Sequence, residues 1–296
     1  MNFAHIGLPK CASSTLQSNV FSKLDSYNYI GPSQLANVAG DLWIKKRDQF
    51  TCLHDAMVDA ACSNSEVKLD ELKKEMRRSR ILNASYVFSS EWITGIRYSP
   101  QTYIDNITRL RSLFEGDCTS VLVVRPHIEL IASMFRDNPS SLLTGQTCNS
   151  FHEFYFDFIE SVYNVENIFK NIYNTCEREF QSVLLLNLHE MKQPDGLSEL
   201  IDAMQLENNF RMSKIENSGL SKGQFFYMKY VRKFKFLKIF IPTLTLKFLH
   251  KLLMTRLRSK AKFEVEISQT VMADAAVRFK GDWQFITKKI NKDKVI

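Results

Sequence analysis

Short apolar runs alternate with stretches of helical spacing over the first two thirds of the chain. Phe3 to Leu8 is an apolar run ending at Gly7-Leu8-Pro9, the pattern of a buried strand entering a tight loop. Ser13, Ser14 and Thr15 follow, then Leu16, Val20, Phe21 and Leu24 recur at helical spacing. The opening therefore predicts strand, loop, helix, with a hydroxyl at the helix N-cap. Gln34 to Ser79 looks mostly helical, with charge gathered in Glu66–Arg80. Tyr86-Val87-Phe88 is a second apolar run, ending in Ser89-Ser90-Glu91, and Thr102 to Phe114 again has helical spacing. Val121-Leu122-Val123-Val124 is unbroken, as expected of a strand covered on both faces. It ends at Arg125-Pro126, and Ile128 to Phe135 predicts the next helix. Phe151 to Glu179 is helical and aromatic, Ser182 to Leu188 a further buried strand, and Leu197 to Met204 a helix.

Apolar strands alternating with helices predict an α/β fold, a parallel β-sheet flanked by helices. Strand signals stop after Asn209, leaving a helical C-terminal third. With no internal repeat, low-complexity tract or Gly/Ser linker, residues 1–296 are expected to form a single domain, with 217–263 as a basic helical sub-region.

Composition narrows the function classes. Apolar residues make up 45 % of the chain, enough for a full core, so disorder is not expected. The net charge of +7 favours anionic partners without choosing among them. Cys11, Cys52, Cys62, Cys118, Cys148 and Cys176 form no Cys-x-x-Cys pair and no zinc-spaced cluster, which fits free thiols and argues against a metal site. The N-terminus lacks a basic region followed by an apolar one, and no stretch approaches the ~20 apolar residues of a membrane span. A cytoplasmic protein is the expectation.

The candidate chemistry begins at Gly7-Leu8-Pro9-Lys10-Cys11-Ala12-Ser13-Ser14-Thr15-Leu16-Gln17. A strand running through a turn into a helix N-terminus presents unpaired N–H groups to an anion, and here Lys10 adds a point charge and Ser13, Ser14 and Thr15 add hydroxyls. It is not a Walker A loop, because no glycine precedes Lys10 at the required spacing. The segment resembles the 5'-phosphosulfate loop of sulfotransferases dependent on 3'-phosphoadenosine 5'-phosphosulfate (PAPS), especially the carbohydrate and bacterial branch. Cys11 and Ser14 depart from that pattern, standing where threonine is usual. A second resemblance lies in Val121–Val124 running into Arg125, with Ser133 eight residues on. In that family such an arginine and serine hold the 3'-phosphate. Two weaker matches are Leu184–Met191, similar to a strand-then-Glu segment, and Asn217–Gly223, which with Ser221 and Lys222 is similar to a late loop closing over the nucleotide.

The resemblance implies the P-loop-like sulfotransferase fold, PAPS as donor and PAP as product, with no metal needed. It implies contacts to the nucleotide from Lys10, Cys11, Ala12, Ser13, Ser14, Thr15, Arg125, Ser133, Ser221 and Lys222. It makes Lys10 the stabiliser of the leaving oxygen and Glu91, in a Ser-Ser-Glu segment at a strand end, a candidate general base, the plainer reading of Glu91 being a helix-start carboxylate before Trp92. His54 and His127 are alternative bases: His54 reads as a surface histidine, His127 as a capping or packing one, and His5, inside the first strand, as a satisfied core histidine.

From Asn217 to Phe263 there is lysine and arginine but no Asp or Glu, interleaved with Phe and Leu. Packed amphipathic helices are the plainer account; the other is peripheral contact with a membrane through 229–262, at its inner face, or with a glycan. The expected acceptor is a carbohydrate or glycolipid hydroxyl, and nucleic acid is not an expected partner. The competing readings are a kinase-like nucleotide-dependent phosphotransferase and a non-enzymatic module binding anionic membranes or glycans.

Overall fold

A computed structural model describes residues 1–32, 35–39, 42–45, 49–79, 85–95, 99–162, 165–193, 195–206 and 264–293, with isolated positions between 223 and 257. Ser221, Lys222 and most of the basic stretch 217–263 lie outside the described residues.

The protein is α/β, built on a five-stranded, all-parallel sheet flanked by helices. Its strands are β1 (Asn2–Ile6), β2 (Asn28–Ile30), β5 (Tyr86–Ser90), β6 (Cys118–Val124) and β7 (Ser182–Asn187), in the order β2-β5-β1-β6-β7. All of β5 and β6 is buried, which is why both read as near-continuous apolar or small-residue runs. β1 sits at the centre. From β1 the chain runs to the edge strand β2, returns to β5 between them, and then crosses β1 to β6 and on to β7, so the order of connection reverses beside β1. Open parallel sheets bind ligands at that reversal, outside the strands' C-terminal ends.

Helices α1 (Ser13–Asn19), α2 (Gln49–Cys62), α3 (Glu66–Ser79), α4 (Pro100–Ser112) and α7 (Ile168–Glu179) flank this sheet, with the short α8 (Ser198–Ala203) after β7. Alternation along the strands assigns the faces. His5 and Ser89 point to the α1 side, where His5 meets Phe21 and Phe3 meets Tyr27. Tyr86 and Phe88 point the other way, against Phe114 just past α4 and, for Phe88, against His54 of α2. The last helix, α10 (Lys280–Asp293), is tied to α7 by the buried Asp282 carboxylate, which accepts the Phe169 and Lys170 amides at 3.0 and 2.7 Å. Asn167 makes no side-chain cap there, so a remote carboxylate satisfies the first turn and complements its dipole.

By contacts the chain divides into two compact units: 1–125 with 163–216 and 281–296, and 126–162 with 217–280. The second unit holds α5 (His127–Asp137), α6 (Phe151–Ser161) and α9 (Gln269–Arg278). Within it Phe135 packs on Phe151 and Phe154, His127 stacks on Phe279 at 4.3 Å, and the Tyr155 hydroxyl donates to Asp274 at 2.7 Å. Among the described residues no helix is long and apolar enough to cross a membrane.

Two local expectations need correction, and one strand gave no signal of its own. Gln34–Ser79 does not begin as helix: β3 (Leu35–Ala39) and β4 (Leu42–Lys45) pair antiparallel before α2. The sequence there carries a two-residue hairpin signal, Gly40-Asp41 between Val38 and Trp43-Ile44. Strand β2 carries only Tyr29 and Ile30 as apolar residues, too short a run to declare itself. His54 is not a surface histidine: it is 3 % exposed and stacked on Phe88.

Candidate functional site

The loop between β1 and α1 is built from a turn and an inverted cap. The Cys11 amide bonds the Leu8 carbonyl at 3.3 Å, and Pro9 and Lys10 occupy the centre of that turn. Lys10 has φ 70°, as the second central position of a type II turn requires. Glycine or asparagine usually fills such a position, and a lysine there carries strain of about 1–2 kcal/mol. Ala12 is also left-handed, at φ 62° and ψ 18°, and is the N-cap of α1, with no side-chain cap bond. The expected hydroxyl cap is thus replaced by backbone. A left-handed residue followed by helical Ser13 turns successive N–H groups into one concavity, a nest suited to an anion.

Side chains hold this loop to the ends of the neighbouring strands. The Thr94 hydroxyl, fully buried, donates to the Gly7 carbonyl at 2.8 Å. On the other side Arg125, at the end of β6 and 9 % exposed, donates Nη1 to the Lys10 carbonyl at 3.0 Å. The loop is therefore clamped on the β6 side by an arginine and on the β5 side by a threonine. Strand register explains the convergence, since Ile6 pairs with Ser90 and His5 with both Ser89 and Val121.

Beneath the loop lies a buried polar cluster. His5 Nδ1 and Ser89 Oγ are 2.8 Å apart, and Gln17 Nε2 of α1 donates to the same Ser89 oxygen at 3.0 Å. His5 Nε2 and Ser13 Oγ are both buried and make no hydrogen bond. Both face Gly7: a Cβ at that glycine would stand 3.2 Å from His5 Nε2 and 3.6 Å from Ser13 Oγ. Burial lowers the His5 pKa to about 4, so the ring stays neutral near pH 7. The core-histidine expectation holds for Nδ1 and not for Nε2.

The charged groups above the loop act on one another. Burial lowers the Lys10 pKa, and the nearby Glu91 carboxylate opposes that shift. Burial pushes the Cys11 thiol up to about 12, with Arg125 pulling the other way and Glu91 adding to the rise. Cys11 is therefore a neutral, buried wall of the loop and no nucleophile. Glu91 is half-buried just past β5, one residue beyond the Ile6–Ser90 pair, which puts it beside the mouth of the loop.

The described residues Lys10, Cys11, Ala12, Ser13, Glu91 and Arg125 thus gather at the C-terminal end of the inner strands; Thr15 is buried in the first turn of α1 and Ser14 half-buried beside it. Ser133 is half-buried on α5, in the other unit. Thr94 and His5 with Ser89 and Gln17 are the site residues that sequence reasoning did not single out as such. Thr94 lies within Trp92-Ile93-Thr94-Gly95, which carries no motif. Among the described residues no three His, Cys, Asp or Glu side chains gather as a metal-ligand set. Compared with known proteins, the chain matches no family model and resembles no curated protein significantly.

Proposed function

We propose that the chain is a PAPS-dependent sulfotransferase of the P-loop-like fold, acting on a carbohydrate or glycolipid hydroxyl. The observation that carries this reading is the Lys10 loop. It has a left-handed Lys10 and Ala12 ahead of α1, and Arg125 from the adjacent strand bonds its backbone. The non-glycine residues in strained conformations, clamped from both sides, support a loop shaped for a ligand. Its concave N–H groups suit a sulfate or phosphate. Together with the absence of a Walker A spacing, they favour a phosphosulfate over a nucleoside triphosphate.

In this account the loop amides from Ala12 to Ser14 cradle the 5'-phosphosulfate, and Arg125 reads the 3'-phosphate of the substrate. Glu91 takes the proton of the acceptor hydroxyl as its oxygen bonds to sulfur. The bond from sulfur to the phosphate oxygen breaks in line, and Lys10 stabilises the charge that grows on that oxygen. Desolvation favours this assignment, because a partly buried ammonium acts in lower dielectric than one in water.

A thermal-shift comparison of PAP, AMP and ATP at equal concentration tests the nucleotide assignment. PAP should raise Tm most, by the equivalent of about 2.7 kcal/mol at a hundredfold excess over Kd. Equal shifts from PAP and AMP would remove the 3'-phosphate site, and a shift from ATP alone would favour the kinase-like alternative.

A further inference from the structure

Trp92 stands next to the proposed base with its side chain in solvent. It is 64 % exposed, while its sequence neighbours Ile93 and Thr94 are fully buried. The backbone that carries it is fixed on every side. The Trp92 amide donates to Ser90 Oγ at 3.3 Å, and its carbonyl accepts from the Gly95 amide at 3.4 Å. The Ile93 carbonyl accepts from Asn106 Nδ2 at 3.1 Å, and Thr94 holds the Gly7 carbonyl of the loop. A large apolar ring is thus presented to water from a rigid turn, one residue from Glu91, and no aromatic ring among the described residues stacks on it. Core packing does not account for it, because the ring is outside the core. Rigid aromatic side chains with a wet face are the usual anchors of binding sites, since little conformational freedom is lost on contact.

Resting on the sulfotransferase reading, we infer that Trp92 is the platform on which the acceptor stacks, and that the acceptor is a pyranose whose ring substituents are equatorial. The chemistry selects that class. An equatorially substituted pyranose directs its axial C–H bonds to the two ring faces. Those weakly positive hydrogens meet the negative face of the indole. The hydroxyls then lie around the ring edge, where one of them can reach the Glu91 carboxylate. A sugar with an axial hydroxyl on the stacked face would leave that group desolvated against the indole, a polar burial without a partner. The chain's excess of positive charge further favours a uronate-bearing oligosaccharide over a neutral one.

The test uses the full chain and two probes, chitotetraose and an unsulfated tetrasaccharide of alternating glucuronate and N-acetylglucosamine. Each is titrated without nucleotide while tryptophan emission is followed in wild type and W92A. The protein has three tryptophans, so the difference between the two proteins isolates Trp92. A saturable change in wild type that disappears in W92A is expected for at least one probe. With labelled PAPS and that probe, W92A should raise the acceptor KM about tenfold, with the loss falling on KM rather than kcat, and W92F should restore most of it. A purely structural role would instead reduce the PAP thermal shift of W92A. No emission change with either tetrasaccharide, or a wild-type KM in W92A, overturns the inference. If the sugar perturbs Trp92 but PAP fails to stabilise wild type, the stacking site stands and the sulfotransferase reading falls.

Discussion

Lowering the pH from 7 to 4 should remove about 3 kcal/mol of folding stability through His5 alone. The ring is fully buried, and its pKa falls from 6.5 to about 4 because burial disfavours the charged form. Below pH 6.5 the unfolded chain takes up a proton at this position and the folded chain does not. The contribution is therefore fully present above pH 6.5 and is lost as pH falls towards 4. The loss reaches about 2 kcal/mol at pH 5 and about 3 kcal/mol at pH 4. Protonation would also oblige Nε2 to donate into a space where it has no hydrogen-bond partner, beside Gly7 and Ser13. The assay is urea unfolding of wild type and His5→Asn at pH 7, 6, 5 and 4. Asparagine keeps a polar atom towards Ser89 and removes the titration. Taking the difference between the two proteins cancels groups common to both, including His54, whose pKa burial also lowers. Wild type minus variant should shrink by about 3 kcal/mol across the range. A difference that stays constant with pH would refute the buried, neutral His5 and the polar cluster under the loop.

Other consequences concern the loop itself. Lys10→Ala should cut kcat about 10²–10³-fold in sulfuryl transfer, while PAP still raises Tm, as expected of a group that acts mainly in the transition state; near-normal kcat would make the loop a binding site only. Lys10→Gly should lose as much activity yet unfold at higher urea, by about 1 kcal/mol, because glycine relieves the left-handed backbone at that position; no gain in stability would argue against the turn geometry. Thr94→Val deletes the hydrogen bond to the Gly7 carbonyl in a fully buried setting, and should cost about 1–3 kcal/mol in urea unfolding and weaken PAP binding; an unperturbed midpoint would show that the clamp is not formed.

The strands of the sheet were legible where burial on both faces forces a continuous apolar run, as in Val121–Val124, and the helices where spacing repeats over several turns, as in Thr102–Phe114. Lys10, Glu91 and Arg125 could be picked out because each follows a strand, and parallel neighbours bring such positions to the same C-terminal end of the sheet. β2 was not legible because pairing with β5, not its own three residues, makes it a strand. Thr94 was missed because its role is to reach a carbonyl 87 residues away in sequence, a contact only the register of β1 and β5 creates. The inverted cap at Ala12 was missed for a related reason. Three hydroxyls in a row signal an N-cap, yet the chain uses left-handed backbone there and turns Ser13 inward.

Transfer of labelled sulfuryl from PAPS is the measurement that meets the central claim directly. Purified full-length wild type and Lys10→Ala are incubated with labelled PAPS and a panel of cell-surface glycans, and label is counted on glycan and PAP on the nucleotide side in the same reaction. The account predicts label on a glycan in equal amount to the PAP released by wild type, and a loss of about 10²–10³-fold in the variant. PAPS left intact by wild type across the panel, or label transferred equally by the Lys10 variant, would contradict it.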